Sequence, residues 1–164
     1  MVKRTAYQAA LDLLSRRDHF RRELEEKLRH REFSNEDIEA AATRCEELDL
    51  LNEARVAARF VEVRAVDRGW GPHRLAAELR QRGVAAEDAD RYSELSEGMA
   101  ADAMRTALRK IEVRAPAAWW RDGQRRARMV SSLITRGFEA EVAIAAVDEM
   151  AASRENQRNG LDDQ

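Results

Sequence analysis

Arginine-rich stretches in three parts of the chain are the residues whose type and spacing suggest a chemical role. The guanidinium group is planar and always charged, and its paired N–H donors match the oxygens of phosphates and carboxylates. Only three of the 29 basic residues are lysines, namely Lys3, Lys27 and Lys110. With their neighbours, the three groups are the candidate partner-binding or DNA-binding residues: Arg16, Arg17, Arg21 and Arg22; Arg64, Arg68, Trp70, His73 and Arg74; and Arg105, Arg109, Lys110, Arg114, Trp119, Trp120, Arg121, Arg125, Arg126 and Arg128.

Each arginine group also has an ordinary structural interpretation. Charged residues on helices usually form a solvated face, in which acidic and basic side chains pair four positions apart, as Glu25 and Arg29 would. The preference for arginine over lysine is explained equally well by codon usage in a GC-rich genome. Both interpretations stay open for every group.

The tryptophans offer a similar choice. Trp70 stands between Gly69 and Gly71, so it either covers a joint between structural units or anchors a partner, as tryptophans often do at interfaces. Trp119 and Trp120 are adjacent, and adjacent helical residues cannot both face one core. We therefore expect one of them to pack inward, which leaves the other to stack on a DNA base.

Catalytic chemistry has no support in the sequence. The histidines, His19, His30 and His73, lack metal-ligand spacing, and no glycine-rich phosphate loop or nucleophile motif is present. Cys45 stands in a helical run without a Cys or His partner, which is typical of a small core residue. We expect a protein that is not an enzyme, with no catalytic residue, no cofactor and no metal.

Composition restricts the partner and the location. A net charge of −2 argues against a protein dominated by affinity for duplex DNA. No window of 18 apolar residues appears, and the segment after Met1 lacks the apolar stretch of a signal peptide. The expectation is a cytoplasmic protein, monomeric and without a membrane partner.

A threefold pattern of apolar residues organises the chain. In each copy an apolar residue is followed by a second one four positions later and a third one five positions after that. The first two share a helical face, and the third lies just past the helix end. The three sets, each with an arginine two positions before its last member, are Leu24, Leu28 and Phe33; Leu75, Leu79 and Val84; and Met129, Leu133 and Phe138, with Arg31, Arg82 and Arg136.

Start and stop signals surround these central helices. Gly83 and Gly137 predict left-handed helix stops, whereas Glu32 in the first copy predicts a less sharp stop. Ser34 and Asn52 are predicted N-caps, the former with Asp37 in a capping box. Pro72, after Gly71, predicts the start of a helix.

Amphipathic helices are predicted before and after each central helix. The apolar stripes of the preceding helices are Tyr7, Ala10, Leu11 and Leu14; Ala57, Phe60 and Val61; and Met104, Ala107, Leu108 and Ile111. Those of the following helices are Ile38, Ala41, Ala42, Cys45 and Leu48; Ala89, Tyr92 and Leu95; and Val142, Ala143, Ala146, Val147 and Met150.

The predicted fold is all-α, with three tandem three-helix repeats in an elongated, curved array. The repeats are expected at residues 1–51, 52–97 and 98–152. Residues 153–164 are expected to form a disordered C-terminal tail.

Two long stretches resemble the RecX family. Residues 10–28, ALDLLSRRDHFRRELEEKL, are similar to the family's opening "A-L-x-L-L-S-x-R" followed by "E-L-x-x-K-L". Residues 51–64 and 69–83 resemble its central segment, "L-[ND]-D-x-x-[FY]-A-x-x-[FW]-V-x-x-R" and "G-x-x-R-[IL]-x-x-E-L-x-x-[KR]-G-[IV]". Asn52 and Glu53 stand where an acidic pair is usual, and Val56 stands where an aromatic is common. The resemblance extends over residues 5 to about 150 and is weakest in the third repeat.

The resemblance implies a non-catalytic regulator of RecA, the recombinase that forms helical filaments on single-stranded DNA. Such proteins bind the filament and modulate it, mainly by inhibiting strand exchange, ATP hydrolysis and SOS signalling. The implied partner is the RecA filament, with single-stranded DNA as a secondary, salt-dependent contact. Two alternatives stay open: a helix-turn-helix DNA-binding regulator, and a helical-repeat scaffold for another protein.

Overall fold

The computed structural model describes residues 4–162, and within this range every regular element of secondary structure is helical. A single 3₁₀ turn, Trp119–Arg121, precedes the eighth α-helix. The α-helices in the described range are α1 Ala6–Leu14, α2 Arg21–Arg29, α3 Asn35–Glu47, α4 Glu53–Arg68, α5 Pro72–Gln81, α6 Ala86–Ser93, α7 Glu97–Glu112, α8 Gly123–Thr135 and α9 Ala140–Asp162. The all-helical prediction is confirmed, and none of these helices is both long and apolar enough to cross a bilayer.

Polar side chains cap α3 and α4 where the sequence predicts it, but Asp37 does not complete the predicted capping box, because its carboxylate accepts from the Ser34 hydroxyl instead of the Ser34 N–H. The Ser34 hydroxyl accepts a hydrogen bond from the Asp37 N–H at 3.1 Å, and the Asn52 side chain accepts one from the Arg55 N–H at 2.9 Å. Helix α5 begins at Pro72, as predicted. These caps satisfy N–H groups that the first turn of a helix leaves unpaired.

The threefold apolar pattern forms the core. Eight of the nine repeat residues are buried, and the exception, Phe33, is half-buried. Their spacing therefore predicted the core-facing side of α2, α5 and α8 correctly. Cys45 is completely buried, as expected for a core residue, and burial raises the pKa of its thiol.

The helix stops differ between the copies in the way that their residues predict. Gly83 and Gly137 adopt φ angles of +92° and +91°. Beyond them, the N–H groups of Val84 and Phe138 donate back to the carbonyls of Leu79 and Leu133, both at 3.2 Å. Glu32 reaches a φ of +63°, but in the described residues Phe33 makes no equivalent bond, so the first stop is the less complete one.

Replacing Glu32 with glycine is expected to stabilise the protein by about 0.5–1 kcal/mol. A side chain in the left-handed region is strained, and this strain exceeds the entropy that glycine costs in the unfolded chain. Urea unfolding followed by circular dichroism measures the change. Glu36→Gly in the first turn of α3 is the control and should destabilise by a similar amount; a loss of stability in Glu32→Gly would refute the strain.

The predicted apolar stripes need corrections at four helices. In α1 the buried residues are Ala6, Ala9, Ala10 and Leu13, and Leu11 is only half-buried. Alanines dominate this face because α1 packs closely against α3. In α7, Ala103 is buried in place of Met104. Leu48 and Val142 are exposed, since the first follows the end of α3 and the second lies on the outer side of α9.

The prediction of a disordered tail from residue 153 is wrong for the described residues, because α9 continues to Asp162. Arg154 anchors this extension: its Nε and Nη2 donate to the two carboxylate oxygens of Glu112 at 2.6 and 2.7 Å. Glu155 accepts hydrogen bonds from Trp120 Nε1 at 2.7 Å and Arg121 Nη2 at 2.6 Å. These donors lower the pKa of Glu155 to about 2, with Arg121 as the larger cause.

The chain divides into two compact units. Unit 1 comprises the chain up to Val61 together with Ala77–Tyr92, and unit 2 comprises Glu62–Ala76 together with the chain from Ser93 onward. Each of the helices α4, α5 and α6 thus contributes residues to both units. The boundaries of three separate repeats at residues 51, 97 and 152 stay a prediction.

The stability of the protein is expected to fall at acidic pH because His19 of unit 1 is buried. Burial, followed by the charge of Arg17, lowers its pKa below the ordinary 6.5, although Glu23 Oε2 lies 3.3 Å from its Nδ1 and opposes the shift. The unfolded chain therefore binds this proton more readily than the folded one. The stability contributed by neutral His19 is complete above pH 6.5 and is lost as the pH falls below it.

Urea midpoints at pH 7.5, 6.5 and 5.5, followed by circular dichroism, test this expectation. The wild type should lose stability between pH 6.5 and 5.5 more steeply than His19→Gln. His30→Gln, at an exposed position of unit 1, should behave as the wild type. Identical pH profiles for all three proteins would contradict the assignment to His19.

A candidate basic groove

A tight turn in unit 2 joins two distant parts of the sequence. Gly71 N–H donates to the Arg136 carbonyl at 2.7 Å, and His73 N–H donates to the Gly137 carbonyl at 3.1 Å. A Cβ atom at Gly71 would lie only 2.4 Å from the Gly137 carbonyl oxygen. Glycine is required here because the turn and the end of α8 meet backbone to backbone.

Beside this turn lies a groove of about 730 Å³ whose polar lining is basic. The groove contains members of the second and third predicted arginine groups, which are far apart in sequence. We call it the basic groove, and it is lined by Arg64, Arg68, Trp70, Arg74, Arg109, Lys110, Val113, Arg114 and Arg136.

Helix C-termini supply the electrostatic support for these cations. Arg68 is the last residue of α4, Arg109 and Lys110 lie in the last turn of α7, and Arg136 caps α8. A helix C-terminus has a partial negative charge that favours cations. Lys110 Nζ donates to the Asp67 carbonyl, and Arg136 Nη1 donates to the Arg68 carbonyl at 3.1 Å.

Trp70 positions two arginines instead of offering an open ring face. The Cζ atoms of Arg74 and Arg64 lie 4.2 and 5.4 Å from the ring centroid. Cations at this distance over an indole ring are attracted by its electron-rich face. The half-buried Trp70 thus holds part of the groove's charge in place, which was not apparent from the sequence.

Like charges crowd each other in the basic groove. Burial, then the charges of Arg136, Arg68 and Arg109, lower the pKa of Lys110, and the charge of Asp67 opposes them. Burial, then Arg74 and Arg114, lower the pKa of Arg136. Because a bound anion would relieve this repulsion, the groove is suited to a polyanionic ligand.

Carboxylates do not neutralise most of the groove. Within residues 4–162, no ion pair with Asp or Glu forms at any of six groove cations, namely Arg68, Arg74, Arg109, Lys110, Arg114 and Arg136. The ion pairs of unit 2 involve other basic residues. Uncompensated cations on one surface are the usual electrostatic basis for binding phosphates or an acidic protein surface.

The first predicted arginine group has a different environment. Arg21 donates to Glu25 at 2.8 Å and to Glu39 at 2.6 Å, and it also pairs with Glu46. Arg17 pairs with Glu23, and Arg22 pairs with Glu26 at 3.1 Å. Arg16 is exposed. Glu25 therefore pairs with Arg21 and not, as the sequence suggested, with Arg29.

Several other candidates are ion-paired outside the basic groove. The pairs are His73–Glu139, Arg105–Asp102, Arg121–Glu155, Arg125–Asp122 and Arg126–Asp148. Arg128 is exposed.

Trp119 is buried at 3% exposure, whereas Trp120 is half-buried, so one member of the pair packs inward as expected. Trp120 makes its indole hydrogen bond to Glu155, and its stacking on DNA stays a prediction.

Arg136 is the groove cation that the site prediction omitted. It lines the basic groove and two smaller adjoining depressions. Its position in the threefold repeat, together with Arg31 and Arg82, was the available signal. Sequence alone did not show that the end of α8 meets the Gly71 turn.

No cluster of three metal-ligating side chains occurs in the part of the chain that the structure describes.

Comparison with known proteins identifies the family. Residues 6–45 match the model of the first three-helix domain of RecX, and residues 52–92 match that of the second. Regulatory protein RecX of Pseudomonas putida is 39% identical over 136 residues, which cover 82% of this chain and 84% of that protein. The chain belongs to the RecX family. Regulatory protein RecX of Halorhodospira halophila is 41% identical over 145 residues, covering 86% and 87% of the two chains.

Solved RecX structures share this fold. A crystal structure of RecX from Lactobacillus salivarius superposes with a TM-score of 0.72 at 23% identity, covering 88% of this chain and 93% of that one. Another crystal structure of regulatory protein RecX gives a TM-score of 0.73 at 22% identity, covering 90% and 70%. The RecX resemblance and the tandem three-helix architecture are thereby confirmed.

Proposed function

We propose that this RecX-family protein regulates RecA by binding the RecA–single-stranded DNA filament through the basic groove. It acts by binding and without catalysis, and its main effect is inhibition of recombinase activity, ATP hydrolysis and SOS signalling. Family membership supports the regulatory role. The observation that favours the groove as the contact is its six cations without carboxylate partners.

The chemistry of a nucleoprotein filament matches this groove. A filament presents DNA phosphates and protein carboxylates in a regular array, and arginine binds both through paired hydrogen bonds. Because the net charge of the chain is −2, only the local surface of the groove attracts anionic partners. This favours a specific partner over any nucleic acid. Single-stranded DNA is a secondary contact whose strength falls with salt.

Addition of the protein to preformed RecA filaments on single-stranded DNA tests the proposal. ATP hydrolysis and filament length are followed together as the protein is titrated. The expected result is loss of hydrolysis with shortening filaments at less than one regulator per RecA protomer. Unchanged hydrolysis and length at a saturating ratio would overturn the proposal, and tight duplex binding in the same protein would favour a DNA-binding regulator.

A further inference from the structure

A second, smaller depression in unit 2 combines an apolar floor with a basic rim. Its volume is about 360 Å³, and its floor consists of Ile111, Pro116, Trp119 and Met129. Five cations form the rim, namely Lys110, Arg114, Arg125, Arg128 and Arg136, and three of them, Lys110, Arg114 and Arg136, also line the basic groove. We call this depression the apolar-floored pocket.

We infer that the apolar-floored pocket binds an acidic peptide segment of a partner protein and takes one of its large apolar side chains. The volume lies near the lower end of the range for ligand sites, roughly 300–1,000 Å³, so it accommodates one side chain. Arg125 pairs with Asp122 at 3.1 Å, and the other four rim cations have no ion pair with a carboxylate among the described residues. They provide the complementary charge for acidic residues that flank the inserted side chain.

The floor favours a peptide side chain over a nucleic acid base. Bases bind by stacking on exposed aromatic faces, but Trp119 is only 3% exposed and contacts Trp120 edge to face, with ring centroids 6.2 Å apart. The remaining floor residues are aliphatic or contain sulfur. Methionine adapts its shape to different apolar partners, so Met129 suits a pocket that accepts an inserted side chain.

Three fluorescein-labelled probes test the inference with the full-length protein. One is a nonapeptide of Asp and Glu with a single central Phe, the second replaces that Phe with Ser, and the third is a fifteen-nucleotide oligothymidylate. Anisotropy titrations should show the Phe peptide binding at least roughly tenfold more tightly than the Ser peptide, because burial of the ring is the only difference. Equal affinity for the two peptides would overturn the inference.

Two matched variants of α8 locate the binding. Ser132 lines both the apolar-floored pocket and an adjoining depression, whereas the exposed Ser131 lines only that adjoining depression. Ser132→Phe should fill the pocket and abolish the preference for the Phe peptide, and Ser131→Phe should retain it. Retention of the preference in Ser132→Phe would refute the assignment. If the oligothymidylate binds more tightly than the Phe peptide, and if Ser132→Phe abolishes this binding, the pocket is assigned to nucleic acid instead.

The inference goes beyond the proposed regulation of RecA and is tested separately from it. The peptide titrations contain no RecA and no filament. Failure of the peptides to bind would therefore overturn the pocket assignment and leave filament inhibition intact. Failure of filament inhibition with normal peptide binding would overturn the regulatory proposal and retain the pocket.

Discussion

Simultaneous replacement of Arg68, Arg109 and Arg114 with alanine is expected to weaken binding to the RecA filament roughly 100-fold. Each charge-assisted contact contributes about 1 kcal/mol or more, and three such losses correspond to two orders of magnitude in affinity. All three side chains are exposed, so their truncation should leave the fold intact. Inhibition of RecA ATP hydrolysis should require a correspondingly higher concentration of the variant.

A triple variant with the same change in net charge provides the control. Arg44, Arg91 and Arg105 are exposed, and each pairs with a carboxylate three residues away on its own helix. Their joint replacement with alanine should change filament affinity by less than about threefold, since such surface pairs contribute little. An equal loss in both triple variants would show that net charge, and not the basic groove, determines binding.

Gly71→Ala is expected to destabilise unit 2 by about 2–3 kcal/mol. The added Cβ would meet the carbonyl oxygen and carbon of Gly137 and the nitrogen of Phe138 at 2.4, 2.5 and 2.7 Å. All three are backbone atoms, so the turn must separate from the end of α8, and overpacking of this kind costs about 1–3 kcal/mol. The same shift would disturb the basic groove, so filament binding should also weaken.

Tryptophan fluorescence selectively reports the urea-induced unfolding of unit 2. The three tryptophans, Trp70, Trp119 and Trp120, all lie in unit 2. Gly98→Ala is the matched control, because a Cβ there has no atom within 4 Å and alanine is the better helix former, by up to about 1 kcal/mol. Urea midpoints should fall in Gly71→Ala and stay or rise in Gly98→Ala. An unchanged midpoint in Gly71→Ala would contradict the backbone contact.

Local sequence signals predicted the helices and most of the core. The offsets from Leu75 to Leu79 to Val84 define a helical face and its stop, because both depend on residues close in sequence. The α1 face was misplaced since alanines such as Ala6 and Ala9 are buried by close helix packing, which hydrophobicity alone does not indicate. The helical tail was missed because Arg154 finds its partner, Glu112, on a different helix.

The candidate site was predictable as residue types but not as a surface. Arg68 and Arg109 were identified from clustering, yet their meeting in one groove depends on the close approach of Gly69 to the backbone of Ala107 in α7. Charge patterns did not distinguish Arg21, which is bound by three glutamates, from Arg114, which lines the groove. Pairing partners distant in sequence decide which arginines remain available, and only the tertiary structure reveals them.

Equilibrium binding to three ligands at one salt concentration tests the central claim most directly. The ligands are the RecA–single-stranded DNA filament, the same single strand without RecA, and a duplex of equal length. The account predicts that the filament binds at least roughly tenfold more tightly than either DNA, and that removal of Arg68, Arg109 and Arg114 abolishes this preference. Binding to duplex DNA as tight as binding to the filament would contradict it.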